Sequence, residues 1–308
     1  MSNKEYPRMK DSSVVSPTPA LGVGNSLLGL GDSSAVEAIL RVMAEAHGLD
    51  ISRYEDAFLW KILDKRLVAT GLQTIAAYAG HLAGDREEAE KFAHALRINH
   101  SDFFRNPLTF ALLEQVFLPG LVEAKKKSGG DEIRVWSAGC AAGQEAWSLA
   151  MLLDELTGEA PSYRIFATDL DGPDLALART GVYSVEGMGN VRSRHLRGCF
   201  SRHGDFYAIV PRLRAKVDFS VHDLLDGDSA SPAASIYGAF DLIFCCNLLF
   251  YYRPDARCQI LDKFCRALSP GGYFVTGEAE RAIVSQQKRL SAAFPPAAIF
   301  QKTNFSHR

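Results

Sequence analysis

The stretch Val135–Ala150, VWSAGCAAGQEAWSLA, runs from an apolar pulse through six small residues, Ala138 to Gly143, into a helical pattern. Small side chains let a ligand approach the main chain closely. A dinucleotide would call for G-x-G-x-x-G, and a phosphate loop for G-K-S or G-K-T, so that main-chain N–H groups meet the phosphate. Neither occurs around Gly139; the turn ends instead in Gln144-Glu145, a potential anion. Asp169 closes a second apolar run 26 residues beyond Gly143, about where a doubly wound fold offers a carboxylate to ribose hydroxyls. Further runs end at Asp223 and Asn247. A nucleoside without phosphate that carries a positive charge fits this set, and S-adenosylmethionine is such a ligand.

The elements that must position these residues follow from periodicity. IRVWSA, YRIFATD, VDFSVHD, FDLIFCCN and GGYFVTG are short apolar runs separated by the helical segments EAWSLAMLLDEL, PDLALARTG and ARCQILDKFCRAL. That alternation predicts an α/β domain with a doubly wound parallel sheet covered on both faces, whose ligand lies beyond the strand C-termini. Before it, SSAVEAILRVMAEAHG places Val36, Ile39, Leu40 and Met43 on one helical face, and YEDAFLWKILDKRLVATG does the same with Phe58, Leu59, Ile62 and Leu63. Two more short helices follow, so an all-helical N-terminal domain is expected over 33–105 and the α/β domain over 106–308, after a disordered Ser-, Pro- and Gly-rich leader at 1–32.

The 308 residues carry a formal charge of −2, which gives no overall basic field and argues against wholesale binding to nucleic acid. Six cysteines without a CxxC pair suit buried thiols in a reducing compartment, with no zinc site or disulfide framework. No apolar run approaching the ~20 residues of a membrane span stands out. A cytoplasmic monomer, not inserted in a membrane, is the expectation.

NHSDFFRNP, VWSAGCAAGQEAWSLA, ATDLD, FDLIFCCNLLFYY and LSPGGYFVTGEAE occur in the order seen in CheR-type chemotaxis receptor methyltransferases, and the sequence resembles that family from about Tyr54 to Ile283. The resemblance implies an S-adenosylmethionine-dependent methyltransferase domain with a small β-subdomain, here 181–219 including DFYAIVPRLRAKVDF as a hairpin. It implies transfer of a methyl group to glutamate side chains on the cytoplasmic domain of chemoreceptors. Asn99, Ser101 and Arg105 match positions lining the cofactor and transfer site. Asp169 matches the ribose partner, Asp223-Leu224 the pair flanking adenine, Asn247-Leu248 the pair after the fourth strand, and Tyr251 a tyrosine beside the methyl group. Gly139 belongs to the cofactor loop, and either Gln144 or Glu145 meets the methionine end. Arg105 and Tyr251 are thereby the catalytic candidates.

Lys61, Lys65 and Arg66 form a basic face on the second helix, suited to docking acidic receptor helices. The sequence departs from the family in two places. Gln144-Glu145 stands where Glu-Glu is common, and Cys246 where an arginine precedes the strand-end Asn. If those charges normally pair, restoring one alone would bury an uncompensated charge at a cost of roughly 3 to 5 kcal/mol. Glu278-Ala279 likewise replaces a more usual His-Ser. These changes leave a non-catalytic cofactor-binding regulator as the alternative function.

Overall fold

The computed structural model describes residues 33–97, 101–157, 161–235, 238–295 and 297–303. Four short helices come first. α1 (Ser33–His47) buries Val36, Ile39 and Met43, and α2 (Asp56–Thr70) buries Leu59, Ile62, Leu63 and Leu67. Gly71 ends α2 in the left-handed region at φ 72°, returning its N–H to Val68 O, a stop that glycine makes without a Cβ clash. α3 (Ile75–Gly84) and α4 (Arg86–Ala95) are capped by the side chains of Thr74 and Asp85, which accept from Ala77 N and Glu88 N. Their buried faces share one cluster with Tyr252, Leu224, Ile260 and Phe264, so the helical part is seated against one side of the α/β part.

A helical run, Pro107–Lys127, consists of α5 (Pro107–Leu112), a π-helical turn (Leu113–Phe117) and α6 (Leu118–Lys127). It is the one helix among the described residues long and apolar enough by composition to cross a membrane, at 21 residues and mean hydropathy 1.2, where the sequence pointed to none. Its Phe110, Leu113, Phe117, Leu118 and Val122 pack into a second core cluster with β1 and α7, defined next.

The remaining elements are β1 (Glu132–Ala138), α7 (Gln144–Thr157), β2 (Ser162–Asp169), α8 (Gly172–Thr180), β3 (Val182–Ser184), α9 (Ser193–Cys199), β4 (Phe200–His203), β5 (Phe206–Ile209), α10 (Pro211–Arg214), β6 (Val217–Val221), β7 (Phe240–Cys245), α11 (Pro254–Ala267), β8 (Leu268–Thr276), α12 (Arg281–Val284), β9 (Leu290–Ala292) and β10 (Ile299–Lys302). The main sheet has the order β6-β2-β1-β7-β8-β10-β9. Its first five strands are parallel and correspond to the five apolar runs of the sequence. β9 and β10 add an antiparallel edge that the runs did not announce. β7 is buried along its whole length, as a central strand should be.

β3, β5 and β4 form a separate antiparallel sheet. Its hairpin joins β4 and β5 through Gly204, not the two ends of DFYAIVPRLRAKVDF; Pro211 starts α10 within that segment, and Val217–Phe219 belong to β6 of the main sheet.

Candidate active site

The chain direction reverses its spread on either side of β1, with β2 and β6 to one side and β7 and β8 to the other. Ligands of such sheets bind where the strand order switches, at the C-terminal ends. A cavity of about 920 Å³, its open mouth included, lies there. It is lined by Ser101, Arg105, Gly139, Glu145, Asp169, Leu224, Asn247 and Leu248 from the sequence-predicted set.

The turn after β1 makes this approach possible. Gly139 and Cys140 both donate to Thr168 O, at 2.8 and 3.0 Å, which ties the turn to the end of β2. Gly139 sits at φ 73°, and a Cβ there would stand 3.0 Å from Leu248 Cδ2; Gly143, at φ 89°, would press 2.8 Å from Ala178 Cβ. Larger residues at either point would strain the turn or fill it. Ala141 also adopts a positive φ of 46°, and its N–H donates to Asp169 Oδ2 at 2.8 Å. Asp171 N donates to Asp169 Oδ1 at 2.9 Å. Burial nevertheless raises the Asp169 carboxyl above its ordinary range, against the pull of those N–H groups.

Glu145, in the first turn of α7, faces the cavity and Gln144 does not. The open choice between them therefore falls to Glu145 as the cavity residue; Gln144 Oε1 is buried without a hydrogen-bond partner. Glu145 Oε1 accepts from Ser137 Oγ at 2.7 Å. Desolvation pushes its carboxyl up to about 8, with Glu280 and Asp169 adding to the rise and Ser137 and Arg105 opposing it. A carboxyl so placed gains most from a cationic neighbour.

Arg105 follows Phe104, whose φ of 50° is unusual for an aromatic residue. Phe104 is held there by its N–H on Ser148 Oγ at 3.0 Å, by stacking on His195 at 5.1 Å and by an edge contact with Phe110 at 5.2 Å. That backbone turn delivers Arg105 to the cavity, where its charge also acts on Cys246 and Tyr251.

Asn247 adopts φ 59°, and the loop it opens is pinned by Glu280. The Glu280 carboxylate accepts the N–H groups of Asn247, Leu248, Leu249 and Gly277 at 2.8, 2.7, 2.6 and 2.9 Å, and the Thr276 hydroxyl at 2.8 Å. Glu280 is fully buried and was not among the sequence-predicted site residues. Its only signal was an acid just beyond the last parallel strand.

Asp223 does not line the cavity: its carboxylate turns to Arg53 at 2.8 Å, and its neighbours His222 and Leu224 form the wall. Tyr251 is not a lining residue either; its ring packs on Phe58 and Phe250 at 4.5 and 4.2 Å, with the phenol raised by burial and the Arg105 charge opposing that rise. Tyr252 and Tyr54, stacked at 5.2 Å, line the cavity instead. Arg66 is committed to the helical core, its guanidinium bonded to both oxygens of Glu88 at 2.8 and 2.5 Å. Lys61 and Lys65 are exposed on α2. Asn99 lies outside the described residues. Arg97 and Asp102, also in the lining, were missed.

A family model described as "CheR methyltransferase, SAM binding domain" matches residues 99–297. The chain is 32% identical over 243 residues to a chemotaxis protein methyltransferase of Listeria monocytogenes, covering 79% of this chain and 88% of the relative. It is 32% identical over 226 residues to chemotaxis protein methyltransferase 1 of Pseudomonas aeruginosa, covering 71% and 79%. With the Escherichia coli chemotaxis protein methyltransferase the identity is 30% over 249 residues, covering 79% and 82%. The chain belongs to the CheR family of S-adenosylmethionine-dependent methyltransferases.

Proposed function

We propose that the cavity holds S-adenosylmethionine and that the chain esterifies glutamate side chains of chemoreceptor cytoplasmic domains in chemosensory adaptation. The relatives' names support the chemotactic setting, and with it a cytoplasmic location. The observation that carries the reading is the meeting, in one cavity, of a guanidinium, Arg105, with a carboxyl of raised pKa, Glu145, beside a glycine-cradled turn.

When bound, S-adenosylmethionine supplies an electrophilic methyl group on a sulfonium. The residues fit it: Glu145 meets the cationic amino acid end, Asp169 the ribose hydroxyls, and Leu224 with Tyr54 and Tyr252 the apolar ring. An acceptor glutamate, with a reference pKa near ~4.3, is already ionised at neutral pH, so the site needs no strong base. It needs alignment and the exclusion of water, and alignment alone lowers a barrier by about 7 to 11 kcal/mol. Arg105 can hold the acceptor carboxylate through its planar fork while leaving one lone pair for attack. Tyr251, half-buried beside it, acts from the rim of the site rather than from its floor. Lys61 and Lys65 offer positive charge to an acidic receptor helix.

The test is incubation with S-adenosylmethionine labelled in the methyl group and a chemoreceptor cytoplasmic fragment. Label on the fragment that mild base releases as methanol is expected, and Arg105→Ala should remove it. Cofactor binding without any transfer would instead leave a regulatory protein.

A further inference from the structure

The connection between α1 and α2 reaches across to the sheet at residues 53–56. Arg53 Nη1 donates to Asp223 Oδ2 at 2.8 Å, joining residues 170 positions apart. Arg53 O accepts from Arg253 N at 2.9 Å, and Tyr54 forms an isolated antiparallel bridge with Tyr252. Glu55 N donates to Tyr251 O at 2.9 Å, while Arg257 Nη2 donates to Glu55 Oε1 at 2.6 Å. The helical part therefore closes one wall of the cavity with Tyr54 and grips the loops that form two others.

Asp223 is the pivot of the second loop. It stands between two lining residues, His222 and Leu224, with its own side chain turned away from the cavity. Its Oδ1 accepts from Leu225 N at 2.8 Å, and its carbonyl accepts from Lys263 Nζ at 3.3 Å. Arg53 is the hydrogen-bonded cation on the remaining carboxylate oxygen, and both side chains are only about a quarter to a third exposed, at 25% and 31%. Asp223 opens the turn that carries Leu224, with Asp226 N donating to Asp223 O at 3.1 Å, so the bonds its carboxylate makes to Arg53 and Leu225 N set how His222 and Leu224 face the ligand. Burial acts to raise the Asp223 carboxyl, but the Arg53 and Leu225 contacts hold it below the ordinary carboxylate range.

We propose that Arg53 is a positioning residue for the cofactor site: through Asp223 it sets the His222–Leu224 wall, so that cofactor affinity depends on how the helical part is docked. The proposal rests on cofactor binding, which family membership shows, and is independent of which acceptor is methylated.

The experiment is calorimetric titration of the full chain with S-adenosylhomocysteine, for Arg53→Ala, Asp223→Ala, the pair together, and the exchange Arg53→Asp with Asp223→Arg. Each single variant should weaken binding about tenfold, the double alanine variant should lose no more than either single one, and the exchange should recover most of the loss. In turnover assays the loss should fall on KM for S-adenosylmethionine, with kcat nearly kept. Arg53→Lys, which keeps the charge and loses the fork, stands in if Arg53→Ala does not fold, and should give an intermediate affinity. Unchanged affinity in a variant whose melting temperature falls would show a merely structural pair, and additive losses in the double variant would show that the two residues act separately; either result overturns the proposal.

Discussion

Glu280 and Asn247 hold each other in place: the buried carboxylate accepts the Asn247 N–H at 2.8 Å, and that bond lies in the turn where Asn247 takes its left-handed conformation at φ 59°. Leu248 and Leu249 donate to the same carboxylate, so one side chain gathers the start of the loop that leads to Tyr251 and Tyr252. A single acceptor here serves five donors from two segments.

Removing that acceptor leaves buried N–H groups without partners, at about 1–3 kcal/mol each. Glu280→Ala should therefore destabilise the fold by at least about 3 kcal/mol in urea unfolding. Glu280→Gln, which keeps one oxygen, should cost less and weaken cofactor binding through the Asn247-Leu248 wall. Stability within about 0.5 kcal/mol of the parent in Glu280→Ala would refute this role.

Glu145, with its carboxyl near 8, remains protonated in the folded chain over a range where the unfolded chain has lost that proton. Its contribution to stability is complete below the unfolded carboxyl value and is lost as pH rises through about 8. A cationic ligand favours the ionised form, so S-adenosylmethionine should bind more tightly as pH rises toward 8 and should release a proton on binding. Calorimetry at neutral pH in buffers of different ionisation enthalpy reads that proton directly. Glu145→Gln should abolish the proton release and flatten the pH dependence.

Burial above all raises the Cys246 thiol, with the Glu145 and Glu280 carboxyl groups adding to the rise and Arg105 opposing it. Gln144 stands where the family has a second carboxylate, but it is Glu145 that shares the cavity lining with Cys246. Cys246→Arg alone should then be tolerated at about 1 kcal/mol, and Cys246→Arg with Glu145→Gln should cost roughly 3 to 5 kcal/mol. Rescue of a severely unstable Cys246→Arg by Gln144→Glu would instead return the pairing to position 144.

Arg66 and Lys65 adjoin on α2 and should respond to mutation in different observables. Arg66, Glu88 and Tyr78 form a closed network, Tyr78 donating its hydroxyl to Glu88 Oε1 at 2.7 Å, and the Glu88 side chain is only 5% exposed. Burial acts to raise Glu88, but the Arg66 and Tyr78 bonds prevail and hold it below its ordinary value. Arg66→Ala should therefore lower stability by about 3 to 5 kcal/mol, through a stranded carboxylate. Lys65→Glu should leave the melting temperature nearly unchanged and raise KM for receptor fragments, most strongly at low salt. A large KM effect without destabilisation in Arg66→Ala would restore Arg66 to the docking face.

The strand-end residues were legible because the parallel strands are short apolar runs with the cavity at their C-terminal ends, where Asp169 closes β2 and Asn247 lies two residues past β7. Glycine spacing around Gly139 and Gly143 announced the tight turn for the same local reason. What stayed hidden depends on contacts far apart in the chain. Nothing in YEDAF indicates that Tyr54 stacks on Tyr252, nor that Arg53 captures Asp223 and turns it from the cavity. The left-handed Phe104 runs against residue preference and is held by Ser148, His195 and Phe110 around it. β9 and β10 are three and four residues long, with prolines between them, and too short to show a period.

The cofactor's nucleoside sits over the strand tips with its ribose on Asp169 in the proposed complex. Titration with S-adenosylhomocysteine tests this most directly when the parent and Asp169→Asn are compared. One molecule bound per chain is predicted, with affinity at least about tenfold weaker in the variant, whose amide no longer accepts on both arms. No binding to the parent chain, or equal affinity in the two, would contradict it.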